Sequence, residues 1–341
     1  MTDLQAEHEP AGAAASAAVP TSAAIPAPQA EDALEARAAR VASRGGSKPT
    51  RVVAARMALL PRLAELWASR ELFAFLVRKE IKVKYKNSVL GFLWSMLNPA
   101  FTLAVFYVLF TFFLPNGIPN FVIYMFAAML LWNLFQTAVL SGTGVIVANS
   151  GIVKKVAFPR EILALASVGS AFMFFLFQST VLLVFMVAFW HRPAWADMWL
   201  IVPALAAIVL FSSALCVFLS AVNVYLRDTQ HLVEVILMAW FWAIPGIYSY
   251  AQVGGKLAKH HILWLYFLNP LTPPVMTFQR VFYAVMNPVN TVSHLQQPVL
   301  ANYPVHWYLA ADMVVVALSL VLLTGALAVF GRLEGNFAEE L

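Results

Sequence analysis

Six apolar stretches, none with a charge near its middle, follow one another along the chain at roughly 91–114, 120–141, 162–190, 198–225, 232–250 and 307–330. At about 1.5 Å rise per residue, each is long enough to cross a hydrocarbon core of ~30 Å as a helix. The bilayer offers no partner to a free backbone amide or carbonyl, so these stretches are predicted to be helical throughout. The pattern predicts an all-α integral membrane protein with six transmembrane helices.

Ahead of the first stretch the pattern changes. Residues 1–33 are rich in Ala and Pro, with acids at Asp3, Glu7 and Glu9 and too little apolar bulk to offset the entropy of ordering. A basic start followed by a compact apolar run is missing, so the segment does not read as a signal peptide. Residues 34–69 are rich in Ala and Arg, with helical potential broken at Arg44-Gly45-Gly46-Ser47 and again at Pro61. The whole of 1–69 is expected to be a largely disordered cytosolic tail. From 70 to 87 a helical period takes over. Phe73, Val77, Ile81 and Tyr85 recur every four residues, Leu72 and Leu76 widen their face, and Arg78, Lys82 and Lys86 run beside it with Lys79 and Lys84. This predicts an amphipathic helix over about 70–90, lying in the cytosolic interface with its lysines toward anionic headgroups. Basic flanking of the first span is the alternative, but the pattern runs for about five turns, longer than an anchor requires.

The outer connections are short, at 115–119 and 191–197. On the inner side, 149–161 reads Asn-Ser-Gly-Ile-Val-Lys-Lys-Val-Ala-Phe-Pro-Arg-Glu. Pro159 cannot continue a preceding helix but suits the first turn of the next one. A short amphipathic helix across the membrane face and an ordinary basic turn both fit this segment. The second inner loop, 223–231, carries Arg227-Asp228. Segment 251–306 is too long for a simple loop, and its apolar runs at 262–268 and 271–286 are too short or too interrupted by proline to span. Two half-length re-entrant helices, buried in protein or lining a wet cavity, are expected there in preference to helices lying on the outer surface.

Composition agrees with a membrane protein: 61% of the residues are hydrophobic and the mean hydropathy is +0.76. A sequence pI of about 9.3 could suggest a nucleic-acid partner, but the positions of the charges explain it otherwise. With a cytosolic N-terminus, 18 of the 22 Lys and Arg fall inside, leaving Arg192, Lys256, Lys259 and Arg280 outside. The positive-inside rule therefore predicts both termini in the cytosol and no nucleic-acid partner. The lone Cys216, in the fourth stretch, can form no intramolecular disulfide.

Motifs for chemistry are missing. There is no G-x-x-x-x-G-K-[ST] loop, since Gly255-Lys256 is followed by Leu257, and no H-E-x-x-H or Cys/His zinc spacing. No metal site and no ATPase within this chain are expected, and the pair His260-His261 reads as unligated. Glu234 and Asp312 lie near the ends of their stretches, and the two halves show no internal repeat, which argues against an ion-coupled carrier. Asn133, Gln136 and Gln178 are uncharged polar groups in mid-span, placed to line a pathway or to hydrogen-bond between helices. Some aromatics fall at span ends as an interfacial belt, but Phe101, Tyr107, Trp240 and Trp242 lie deeper. Sugar rings pack their CH faces on aromatic rings, so these four are candidate walls of a glycan channel. A membrane-embedded glycan polymerase or transferase would instead gather charged groups around one outer pocket; Arg280, His294 and Asp312 are the thinly spaced candidates.

Several motifs occur in order. They are Arg78-Lys79-Glu80-Ile81-Lys82-Val83-Lys84-Tyr85-Lys86 with Leu90-Gly91-Phe92-Leu93-Trp94-Ser95-Met96-Leu97-Asn98-Pro99, then Val156-Ala157-Phe158-Pro159-Arg160-Glu161. Asn223-Val224-Tyr225-Leu226-Arg227-Asp228, Leu268-Asn269-Pro270-Leu271-Thr272-Pro273 and the ending Glu334-Gly335-Asn336-Phe337-Ala338-Glu339-Glu340-Leu341 complete the series. Together they resemble the permease subunit of ABC exporters for polysaccharides, the O-antigen and teichoic-acid group, over about 71–341.

The resemblance implies a multi-pass protein of the bacterial plasma membrane that holds no cofactor. It would act as a homodimer with two cytosolic ABC ATPase subunits, which bind ATP-Mg. The counterpart of 70–87 is a gate helix, where Arg78, Lys79, Lys82, Lys84, Tyr85 and Lys86 would meet the diphosphate of a polyprenyl-linked glycan. The counterpart of 149–161 is the coupling helix, with Ile152, Lys154, Lys155, Phe158, Pro159, Arg160 and Glu161 engaging the ATPase. The counterpart of 251–306 is re-entrant at the outer mouth. The Ala-rich, Arg-biased start departs from the short start of these permeases and points toward a high-GC actinobacterial source, where such exporters carry galactan for the cell wall. A permease for small molecules is the alternative, disfavoured by the basic interfacial helix.

Overall fold

A computed structural model describes residues 59–84, 86, 88 and 90–341. The tail expected before residue 59, and Tyr85, lie outside the described residues. Among those described the fold is helical, with a single β-bridge between Val289 and Gln296. The first helices are α1 (Leu59–Ala68), α2 (Arg70–Lys84) and α3 (Trp94–Val108), the last running on as a π-helical turn, Leu109–Phe113. Next come α4 (Phe121–Ala148), α5 (Ser150–Val153), α6 (Glu161–Ala188) and α7 (Ile201–Tyr225), which a 3₁₀ turn, Trp195–Leu200, leads into. Then follow α8 (Thr229–Phe241), α9 (Tyr250–Lys259), α10 (Leu263–Leu268), α11 (Thr272–Phe282), α12 (Val305–Leu333) and α13 (Phe337–Glu340). Among the described residues, five helical runs are long and apolar enough to cross a membrane: Trp94–Phe113, Phe121–Ala148, Glu161–Ala188, Trp195–Tyr225 and Val305–Asn336.

Helix α4 is apolar on every side, which is why it occupies the middle of the bundle, packed by α6, α7, α8 and α11. Small residues set how closely its neighbours approach. A Cβ on Gly142 would lie 2.6 Å from the Cys216 sulfur, and that fully buried thiol donates a hydrogen bond of 3.2 Å to the Ala138 carbonyl. One end of the bundle, here the near end, gathers α1, α5 and residues 334–341. At the far end Arg280 pairs with Asp197 at 2.8 Å. There the 284–300 hairpin rests on the 115–119 loop, through a bond of 2.9 Å from the Thr291 amide to the Gly117 carbonyl. Gly117 has φ +72° and faces the Asn290 amide closely enough to leave no room for a Cβ.

The fifth apolar stretch departs from expectation. Only Thr229–Phe241 is a regular helix, about 20 Å long and short of the ~30 Å core. The chain then turns through 242–249, where Pro245 and Gly246 stop the helix. Three carbonyls at the break take donors from elsewhere. Asn269 donates to Ala243 at 3.2 Å, Gln279 to Pro245, and the Tyr124 hydroxyl to both Tyr248 at 3.0 Å and Pro245 at 3.3 Å. Buried polar backbone demands such partners. They come mostly from the α10–α12 region, so the broken passage and α11 fold as one unit. Residues 272–281 of α11 are all buried, and its Thr277 donates to Asp312 of α12 at 2.8 Å.

Two near-end elements also differ. The expected tail already contains α1, whose described residues run through Pro61. The expected coupling helix over 149–161 is one turn, α5, followed by irregular chain to Arg160. Gly151 and the pair Val153 and Val156 have low helix propensity, and Pro159 disfavours helical backbone at Phe158.

Candidate functional site

Helices α3, α4, α6 and α8 enclose a groove of about 810 Å³ at mid-bundle. Its walls carry Trp94, Phe101, Phe106, Trp132, Phe174, Phe241 and Trp242, interrupted by the amides of Asn98, Asn133, Gln136 and Gln178. Asn133 donates to Gln178 at 3.2 Å, so this pair ties α4 to α6 and also faces the groove. Asn98 is exposed on the open side, although it belongs to a span-length helix.

Lys84 supplies the charge. Its ammonium lies 4.2 Å from the centroid of the Phe174 ring, about 20 Å along α6 from Glu161 at 1.5 Å per residue. Burial lowers the pKa of this lysine, and Glu80 one turn back opposes the shift. Helix α2 reaches this depth because α6 offers a fitted surface. A Cβ on Gly169 would lie 2.7 Å from Phe73 and 2.8 Å from Val77. Beside it the hydroxyls of Ser167, at 3.3 Å, and of Ser170 donate to the Glu80 carboxylate. The basic stripe is therefore divided. Lys84, itself exposed, lines the groove, Lys79 donates to Asn149 at 3.1 Å, and Arg78, Lys82 and Lys86 are exposed outside the groove lining.

The residues expected to engage an ATPase also separate. Ile152, Lys154, Lys155 and Val156 are exposed on the near end, while Phe158 and Pro159 are half-buried. Arg160 and Glu161 turn inward. Glu161 is buried and takes the Arg62 guanidinium at 2.5 Å, which also meets Glu334 at 3.0 Å. Arg160 donates to the Glu334 carbonyl at 2.6 Å and sits 5.8 Å over the ring of buried Phe337. Arg62, Glu334 and Phe337 were not singled out as functional from the sequence; only the ending that contains the last two was noted as a motif.

Of the four channel aromatics, Phe101 and Trp242 line the groove. Tyr107 lies on the exposed side of α3, and Trp240 packs against Phe135 and Phe211 while donating to Asn269 at 3.0 Å. The charged groups a membrane enzyme would need do not gather around one pocket: Arg280 pairs with Asp197, Asp312 accepts from Thr277, and His294 lies in the hairpin turn, where its backbone amide donates to the Asn290 carbonyl at 2.9 Å.

The sequence profile of the ABC-2 type transporter matches residues 71–283, from α2 to just past α11. The chain is 32% identical over 278 residues to the O-antigen export system permease protein RfbA of Myxococcus xanthus, covering 81% of this chain and 98% of that protein. It is 25% identical over 271 residues to the RfbA permease of Klebsiella pneumoniae, covering 80% and 95%. A span-rich bundle with a charged mid-depth groove, matched over these lengths to transport subunits, is the membrane permease component of a transporter, and the chain belongs to the ABC-2 type transporter family.

Proposed function

We propose that this permease exports a polysaccharide carried on a polyprenyl diphosphate, driven by a separate ATPase that binds ATP-Mg. The groove carries the reading. A volume of about 810 Å³ falls within the ~300–1,000 Å³ of ligand sites and admits a short stretch of sugar units. Aromatic faces let a glycan slide without committing to one sugar, while amides exchange hydrogen bonds with its hydroxyls. Lys84, at the mouth reached from α2, supplies a cation for the diphosphate. The relatives' naming as O-antigen permeases supports a long polysaccharide as cargo; galactan is the specific candidate suggested by the composition of the chain's start.

The distribution of Lys and Arg supports a cytosolic near end, with α5 and the exposed Ile152, Lys154, Lys155 and Val156 facing two ATPase subunits. The far-end α11 and its partners then form the re-entrant outer mouth. A second copy of the chain completes the passage: lipid offers nothing to the exposed Asn98 amide, so the open side of the groove faces a partner or water.

The test is reconstitution with the co-purifying ATPase in proteoliposomes. ATP-dependent appearance of a polyprenyl-linked glycan on the far side supports the proposal. An ATPase-bound complex that moves a small amphiphile but no glycolipid defeats it.

A further inference from the structure

The segment 334–341 is folded into the near end, and what it joins is informative. Phe337 is fully buried, its ring 5.4 Å from that of Phe330 and 6.1 Å from that of Tyr225. The Tyr225 hydroxyl donates to the Leu333 carbonyl at 2.8 Å. On the other side, Arg160 holds the Glu334 carbonyl and covers the Phe337 ring. Arg62 bridges the carboxylates of Glu161 and Glu334 and donates to the Leu327 carbonyl at 3.2 Å. It crosses α12 at Gly331, so closely that a Cβ there would collide with the guanidinium. Three distant parts of the chain thus meet: the end of the 149–160 loop, the end of α7, and the end of α12. Immediately after Tyr225 the chain emerges as Leu226, Arg227 and Asp228, all exposed.

We infer that 334–341, fastened by Arg62, is a rigid brace that makes the two near-end loops move as one body. Push on the 149–160 loop and the force reaches α6 directly, while the brace carries it to α7 and α12. Glu161 is 1% exposed, and a buried carboxylate without its guanidinium is strongly unfavourable; the joint therefore resists opening. Phe337 and Arg62 are positioning residues, acting through Arg160, Glu161 and Tyr225. The inference extends the exporter reading, because a brace has a use only where one loop is driven.

The test separates the two ideas. Spin labels placed on cysteines at Ala157 and Leu226, both exposed, report the distance between the loops in the full-length protein. A narrow distribution is expected, broadened at least twofold by Phe337→Ala and restored by Phe337→Leu. In reconstituted complexes of equal assembly, Phe337→Ala retains ATP hydrolysis within about twofold and loses roughly tenfold in glycolipid moved per ATP, about 1.4 kcal/mol of coupling. If Phe337→Ala does not fold, Glu334→Gln replaces it, with about threefold broadening and loss expected. An unchanged distance distribution in a folded variant overturns the brace, whatever the cargo. A wild-type complex that moves no glycolipid overturns the exporter reading, while the label distances still decide the brace.

Discussion

Lys84 and Lys82 differ by two positions and, in this fold, by environment. Both are exposed, but Lys84 lines the groove over Phe174 and Lys82 lies outside it. If the groove lysine meets the diphosphate, Lys84→Gln lowers the initial rate of glycolipid export by about tenfold, the loss of one charge-assisted contact worth roughly 1.4 kcal/mol. Lys82→Gln changes it less than about twofold, and parallel transport assays with the two variants distinguish them. Packing is equally specific at Gly142. Gly142→Ala forces a methyl against the Cys216 sulfur at 2.6 Å and is expected to destabilise by about 1–3 kcal/mol, read as a lower Tm in detergent. Adding Cys216→Ala restores part of the loss only, since the Cys216 Cβ at 2.8 Å remains. Gln279→Leu leaves the Pro245 carbonyl one donor short, for about 1–3 kcal/mol by the same measurement.

At the scale of elements, the long helices were legible because apolar length is a direct consequence of bilayer thickness, and α2 because its period of about four residues is local. The break after α8 was not. Ala243, Ile244 and Ile247 keep the hydropathy high through 242–249, masking Pro245-Gly246, and the donors at the break lie on α4, α11 and Asn269. Helix α1 was hidden by Pro61, read as an interruption although the helix runs through it. The groove was half legible. Asn133, Gln136 and Gln178 are polar wherever they point, whereas an aromatic on a helix apolar all round gives no hint of its facing. Phe101 and Trp242 therefore could not be told from Tyr107 and Trp240 without the fold. The α2–α6 seam makes its own prediction: Ser167→Ala with Ser170→Ala removes both hydroxyls from Glu80. Helix α2 then loosens, and limited proteolysis between 84 and 94 speeds up severalfold, while a rate equal to wild type shows that apolar packing alone holds it.

For the whole molecule, if the proposed second copy covers the open side of the groove, it places Asn98 beside its counterpart. Asn98→Cys is expected to give a covalent dimer under mild oxidation, seen as a band of doubled mass; a cysteine at Trp195, exposed at the far end, should give none. The sulfur already present makes such work simpler than in most membrane proteins. Cys216 has no accessible surface, pressed against Gly142 and bonded to Ala138 in the α4–α7 seam. The intact protein should therefore stay dark to a maleimide dye, so every substituted position is read against a silent background. The same thiol doubles as an unfolding gauge: dye uptake by the unaltered chain counts molecules whose central helices have separated, in any detergent or lipid chosen for purification.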